Sequence, residues 1–364
     1  MTFGERVKAQ TRQFLLPKVV YNVFGSNILA NRLISNGKRG KGYAVEKAIK
    51  YQNSNQAAAF SGLDTFQAQQ LETKIRLSVE MKAARQPIGL GGLELLANSD
   101  SEVRVTDMIA EALEETQDEL MEKVGDYGYG DGTAESSKAP IGLGGIVDDG
   151  TSVTTFEGQS RSTYSVLNAT RTSLTGVLGE LSLPRLATLY TNISSGTGLT
   201  TPTLLISSET EWDLYEQLLT PTVRETYSSM GYYTVTRNSQ GAVRQGSQNG
   251  LVGQQGFVAL SYKGIPWVRD EKATSQNVFM LNENFLDWWG WRGNVLGYEA
   301  VDFNHVQTES TYNEAPMSQF SGFLWSSYKT AQNQFAGIAD VIIVGNFGSW
   351  QPRRQGRLTE VTTV

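Results

Sequence analysis

The hexapeptide Pro-Ile-Gly-Leu-Gly-Gly occurs twice in the chain, at Pro87–Gly92 and at Pro140–Gly145. Glycine-dense loops of this kind can cradle phosphates on their backbone N–H groups. A phosphate loop of the G-x-x-x-x-G-K-[ST] type also needs its lysine and hydroxyl to reach phosphate and Mg²⁺. No such string is present, and the nearest, NGKRGKG from Asn36 to Gly42, has Arg39 where the hydroxyl belongs. Neither hexapeptide follows a strand with a helix opening on its glycines in G-x-G-x-x-G spacing, so a phosphate cradle is poorly supported.

The other chemical candidates are few. His305 is the single histidine and there is no cysteine. A zinc site would therefore draw most of its ligands from carboxylates, and a Ser-His-Asp triad would run through His305 with no G-x-S-x-G elbow. A polar residue in a strand or turn is the plainer reading. DWWGW sets Asp287 beside Trp288, Trp289 and Trp291. Paired carboxylates with aromatic faces are what a carbohydrate-active enzyme needs, but core or interface packing accounts for the tryptophans more simply. Glu114, Glu115, Asp118 and Glu119 have the spacing of a solvated helix face. No residue set assigns a catalytic, cofactor or metal site, and the expectation is a protein that is not an enzyme.

Composition narrows the class further. The chain has 364 residues, 39% hydrophobic and 19% charged, with 37 glycines and 9 prolines. That suffices for a sizeable core and predicts two lobes, or one lobe with extensions. The net charge of −6 argues against a basic face built to grip nucleic acid, though not against a weak local contact. No apolar run approaches the ~18 residues of a membrane span, and the first ten residues lack a signal-peptide core. The expectation is a soluble protein made in the cytoplasm.

The elements read as follows. ERVKAQTRQFLL predicts a short helix stopped by Pro17, and SNILANRLISNG a second one capped by Gly37. GKRGKG (37–42) reads as a flexible basic joint. Ile75, Leu77, Val79 and Met81 alternate with charged and polar residues, and Val45, Lys47, Ile49 and Tyr51 show the same period, so a two-stranded ribbon is predicted. Such a ribbon is marginal alone and must lie against its own lobe or another subunit. A long helix is expected over 99–124, with Ser99 and Glu102 as a capping box and Gly125 just past its end. Val105, Ile109, Ala112, Leu113, Leu120 and Val124 form its apolar stripe. Its other face carries eight carboxylates against Arg104 and Lys123, a net −6 equal to that of the whole chain. Further on come a helix at 183–194 capped by Ser182, a buried strand Leu204–Ser207 leading into a helix capped by Ser208 with Glu211, and strands in GFVALSYKGIPWVRDE, NVFMLNENFLDWW and ADVIIVGNF. The two hexapeptides bracket the long helix and read as its two backbone joints.

This order of parts resembles the major capsid proteins of tailed bacteriophages. The likeness lies in IGLGGLELLANSD before the long helix, YGYGDGT…IGLGGIVDDG, TPTLLISSETEWDLYEQLL, YKGIPWVRDE with VFMLNENFL, and GNFGSWQPRRQGRLTEV. The resemblance implies an α+β chain with an N-terminal arm (1–40), an extended β-hairpin loop (41–92), a peripheral domain (93–199) holding the spine helix 99–124, an α/β axial domain (200–298), and a return to the peripheral domain (299–364). It further implies self-assembly as hexamers and pentamers into an icosahedral head around double-stranded DNA. The partners implied are the chain itself, a separate scaffolding protein, a portal protein and a decoration protein, with only weak, non-specific contact to the packaged DNA and none to membrane. The place implied is the virion, assembled in the bacterial host cytoplasm. An encapsulin-type compartment shell shares the fold and is the alternative.

Overall fold

The computed structural model describes residues 28–40, 42–62, 69–93, 108–177, 179–194, 201–219, 260–291, 298–300, 323–326, 329–330 and 334–364. His305 and the first expected helix lie outside them. Helix α1 (Ile28–Ser35) buries Ile28, Leu29, Ala30, Leu33 and Ile34. The expected glycine ends it: Gly37 N–H donates to the Ile34 carbonyl at 2.9 Å. A Cβ on Gly37 would sit 2.8 Å from that carbonyl oxygen and 2.9 Å from Trp288. The basic stretch expected to be a flexible joint is instead a strand, β1 (Lys38–Gly40), because parallel pairing with Asp287–Trp291 takes up its backbone.

The ribbon forms as expected. β2 (Ala44–Lys50) and β3 (Lys74–Glu80) pair antiparallel from Ala44↔Glu80 to Lys50↔Lys74. After Met81 the chain continues as β4 (Lys82–Gly91), which leaves the ribbon for the main sheet. Helix α2 (Met108–Tyr129) follows. Its predicted capping box and Val105 lie outside the described residues, as do the side chains of Ile109 and Leu113. It does not stop before Gly125 but runs on to Tyr129. Tyr127 and Tyr129 are buried there, and Gly128 admits Leu29 and Phe347 against the helix backbone. Packing thus overrides the stop signal.

The remaining elements are α3 (Leu143–Ile146), the small hairpin β5 (Thr155–Phe156) and β6 (Gln159–Ser160), β7 (Thr170–Ser173), α4 (Leu183–Ile193), β8 (Leu204–Ser207), α5 (Glu209–Leu218), β9 (Leu260–Tyr262), β10 (Ile265–Arg269), β11 (Asn277–Leu281), β12 (Asp287–Trp291), β13 (Tyr298–Ala300), β14 (Phe323–Ser326), β15 (Lys329–Thr330), β16 (Ala336–Gly348) and β17 (Gly356–Thr359). Two sheets dominate. The seven-stranded one runs β1-β12-β16-β14-β13, with β4 and β15 also on β16; the six-stranded one runs β7-β17-β11-β8-β10-β9.

The six-stranded sheet is buried on both faces, which is why LLIS and VFML are continuous apolar runs. Leu204, Ile206, Phe279 and Leu281 face a core shared with α1, α2 and the seven-stranded sheet. Leu205, Trp267, Val278 and Met280 face a second core closed by Leu186, Leu189 and Ile193 of α4 and Tyr215 of α5. Ser208 occupies the N-cap of α5, yet its hydroxyl bonds the Glu211 carboxylate rather than the helix backbone. The other Glu211 oxygen accepts the Gln276 N–H at 2.6 Å, so a buried carboxylate pins α5 to the start of β11.

The two hexapeptides do not share a conformation. The first is a strand and not a joint: Pro87 to Gly91 pair with Asp340 to Ala336 at one end of the β4–β16 ladder. The second is a turn into α3, packed on the end of α2. Gly142, the third residue of that copy, lies so close to α2 that a Cβ would come within 2.1 Å of the Tyr127 carbonyl oxygen. Gly89, its counterpart, has nothing within 4 Å of such an atom. Gly89→Ala is therefore expected to be neutral or stabilising by up to ~1 kcal/mol, through strand propensity and lower unfolded-state entropy. Gly142→Ala is expected to cost about 2 kcal/mol or more, because backbone must move. Chemical denaturation of the two variants beside the parent measures the contrast.

Candidate assembly surfaces

The ribbon is anchored at one end and open at the other. Leu77 and Val79 are fully buried, whereas Phe60 and Leu71, toward the tip, are 68% and 44% exposed; Tyr43, beside the anchored end, is 77% exposed. Beyond the ladder the chain is held by side chain to backbone bonds: Tyr51 Oη donates to the Glu72 carbonyl at 2.9 Å, and Gln56 bonds the Gln69 backbone. The described tip residues are exposed throughout. Large apolar groups presented on so thin an element gain little burial from the chain itself.

The anchored end is stitched to the body at several points. Ser78 N–H donates to the Glu157 carbonyl at 3.1 Å, and Gln159 Nε2 to the Arg76 carbonyl at 3.0 Å. Asn346 Nδ2 reaches the Glu80 carbonyl at 2.8 Å, and Tyr51 meets Tyr164 edge-on at 5.0 Å. The β5–β6 turn carrying Glu157 is thus the clasp of the ribbon. Its carboxyl is buried; one oxygen accepts the Ser349 N–H at 3.1 Å and the other has no partner. Burial pushes this carboxyl up to about 8, against the weaker opposing pull of the Ser349 N–H and the Arg161 guanidinium. The folded state therefore keeps a proton that the unfolded chain loses. Stability should fall by up to roughly 1.4 kcal/mol per pH unit between the ordinary carboxylate range and about pH 8, and level off above. Glu157→Gln should flatten that slope in urea titrations taken from pH 5 to pH 9; an unchanged slope would refute the assignment.

Below the clasp, like charges meet. Arg171 of β7 stands directly opposite Arg357 of β17 in the parallel register. The fully buried Asp148 resolves this: its Oδ1 lies 2.8 Å from Arg357 and 3.4 Å from Arg171. Its Oδ2 accepts the N–H groups of Gly150, Ser152 and Val153 at 2.9–3.1 Å. Burial alone would raise the Asp148 carboxyl, but these donors and Arg357 outweigh it and hold the group below the usual range. Arg161 points its guanidinium at the carbonyls of Gly145, Ile146 and Asp148, tying α3 to the same cluster. Asp148→Asn should cost about 3–5 kcal/mol, since it leaves buried cations unpaired; a thermal melt shows it.

The carboxylates that could have served a sugar site are engaged otherwise. Asp287 is paired with Lys38 at 2.7 Å, and Glu283 with Arg32 at 2.7 Å, around a cavity of about 350 Å³. Trp288 is buried against Phe347, and Trp289 packs on Trp350. Among the described residues no group of three or more His, Cys, Asp and Glu could hold a metal ion. Sequence reasoning missed Asp148 and Glu157. Asp148 sits in DDGT, a turn signal that gave no hint of Arg171 and Arg357 arriving from β7 and β17.

No family model matches the chain, and no curated protein matches it. Solved structures do. The capsid asymmetric unit of cyanophage A-1(L) superposes with a TM-score of 0.67 over 100% of both chains at 13% identity. The capsid of a native GTA particle gives 0.57 over 98% of this chain and 97% of the other at 7% identity. The holo-SrpI encapsulin complex of Synechococcus elongatus gives 0.56 over 99% and 96% at 9% identity. The chain therefore has, end to end, the fold that tailed-phage capsid proteins share with encapsulins.

Proposed function

We propose that the chain is the major capsid protein of a tailed bacteriophage, assembling with copies of itself as hexamers and pentamers into an icosahedral head around double-stranded DNA. The observation that carries this reading is the ribbon: a described element with buried anchor residues and exposed Tyr43, Phe60 and Leu71, in a fold that phage capsids share along its whole length. A ribbon of this kind gains its missing burial from the next copy. The role is structural and not enzymatic. Residues 1–40 act as the arm, 41–92 as the extended loop, 93–199 with 299–364 as the peripheral domain and 200–298 as the axial domain. A scaffolding protein, a portal protein and a decoration protein complete the head, which is assembled in the host cytoplasm and ends in the virion. The negative net charge suits a container that must not adhere to the DNA it receives.

An encapsulin-type compartment is the second reading, and the likeness to the Synechococcus shell protein favours it over any enzyme. Electron microscopy of the purified chain tests the proposal. Closed shells or capsomers are expected, with nucleic acid inside particles from infected cells and protein cargo inside an encapsulin; a uniform monomer at high concentration would overturn both readings. Deleting 52–70 should leave a folded chain, melting within a few degrees of the parent, that forms no stable shells.

A further inference from the structure

We propose that the base of the ribbon carries a cationic cleft that receives the acidic face of α2 from a second copy of this chain. The seam would fix the neighbour and the angle of the ribbon together. This deepens the shell reading and rests on it.

Two adjoining cavities, of about 390 and 380 Å³, share Val166 and Arg353. One wall is the ribbon, with Lys47, Lys50 and Tyr51; the other is the body, with Trp350 and Arg353. No carboxylate lines either cavity. The Lys47 ammonium lies 5.4 Å from the centre of the Trp350 ring, joining the walls at one point. Lys50 faces Lys74 across the β2–β3 register, where like charges are destabilising unless an anion is near. Among the described residues neither Lys50 nor Arg353 has an ion-pair partner. A local excess of unpaired cations in a chain of net −6 is a recognition feature, not a background property.

The occupant is chosen by charge and by place. Helix α2 carries seven carboxylates against Lys123. Glu122 and Asp126 are committed to Lys272 at 2.6 and 3.3 Å. Glu115 and Glu119 are exposed, one turn apart on the same face, and meet no cation among the described residues; Glu119 accepts only a hydrogen bond from Gln86 at 2.7 Å. The ribbon that walls the cleft is the element that reaches a neighbour in the shell, so the cleft opens beside that contact. A nucleic acid would also match the cations, and the test below separates it from the helix.

Charge exchange in the full chain tests the seam, with shells followed by light scattering and microscopy. Lys50→Glu with Arg353→Glu alters exposed side chains, so the melting temperature should stay near the parent's while shell yield falls at least about tenfold. Glu115→Lys with Glu119→Lys should do the same, and all four substitutions in one chain should restore most of the yield. Normal assembly by the first pair, or no recovery in the combined variant, overturns the seam. Wild-type binding of a labelled single-stranded oligonucleotide that is lost in the first pair, with assembly intact, would assign the cleft to nucleic acid instead. A wild-type chain that never assembles would overturn the shell reading itself. Shells that form after deletion of 52–70 would overturn the ribbon's role while the charge-exchange result stands alone.

Discussion

The arrangement depends on the pairing of one strand. β16 hydrogen-bonds to β4, β12, β14 and β15, and its ladder with β4 runs unbroken from Ala336↔Gly91 to Gly345↔Lys82. A slip of one residue would turn Val341 and Ile343 from the core to the opposite face, so the register is strongly held. A single residue, Met81, separates the end of the ribbon's second strand from the start of β4. The direction in which the ribbon leaves the body therefore follows from the β4–β16 register, and Asn346 on β16 reinforces it by bonding Glu80. An element with little burial of its own acquires a defined orientation from a strand more than 250 positions away.

Buried polar groups complete the frame where strands alone cannot. Asp270 accepts the Leu29 N–H at 3.0 Å and the Tyr129 hydroxyl at 2.8 Å, joining the start of α1 to the end of α2. Asp148 pairs with Arg171 and Arg357, and Glu211 holds α5 to the loop before β11. Buried ionic groups contribute less to net stability than to choosing one arrangement over its alternatives. Each of these joins segments far apart in the chain, which suits that role here.

Much of this was legible in the sequence, and the failures have physical causes. The ribbon strands, α1 with Gly37, α4, β8 and α5 were readable because their signals are local: period-two alternation, a C-terminal glycine, Pro184 in a first turn, a short apolar run. The long helix was readable in kind, but its C-terminal end was not, since burial of Tyr127 and Tyr129 outweighs Gly125. Lys38–Gly40 and the first hexapeptide were misread for one shared reason. Both become strands only because a distant strand offers them a ladder, and no local pattern announces that partner. The clasp at Glu157 and the Asp148 cluster were invisible for the same reason, as their meaning lies in contacts with β3, β7, β16 and β17.

The order in which the chain is made gives the position of β16 a further meaning. Residues 336–348 supply the most heavily paired strand of one sheet, and residues 356–359 an interior strand of the other. During synthesis the ribbon, α2 and β8 all leave the ribosome before either sheet can close. Until β16 has emerged, β4 has no ladder and the ribbon has no fixed exit. Domains fold as units once their non-local partners are present. The nascent chain is thus kept from displaying a correctly aimed ribbon early, and the ribbon's direction is set in a late step.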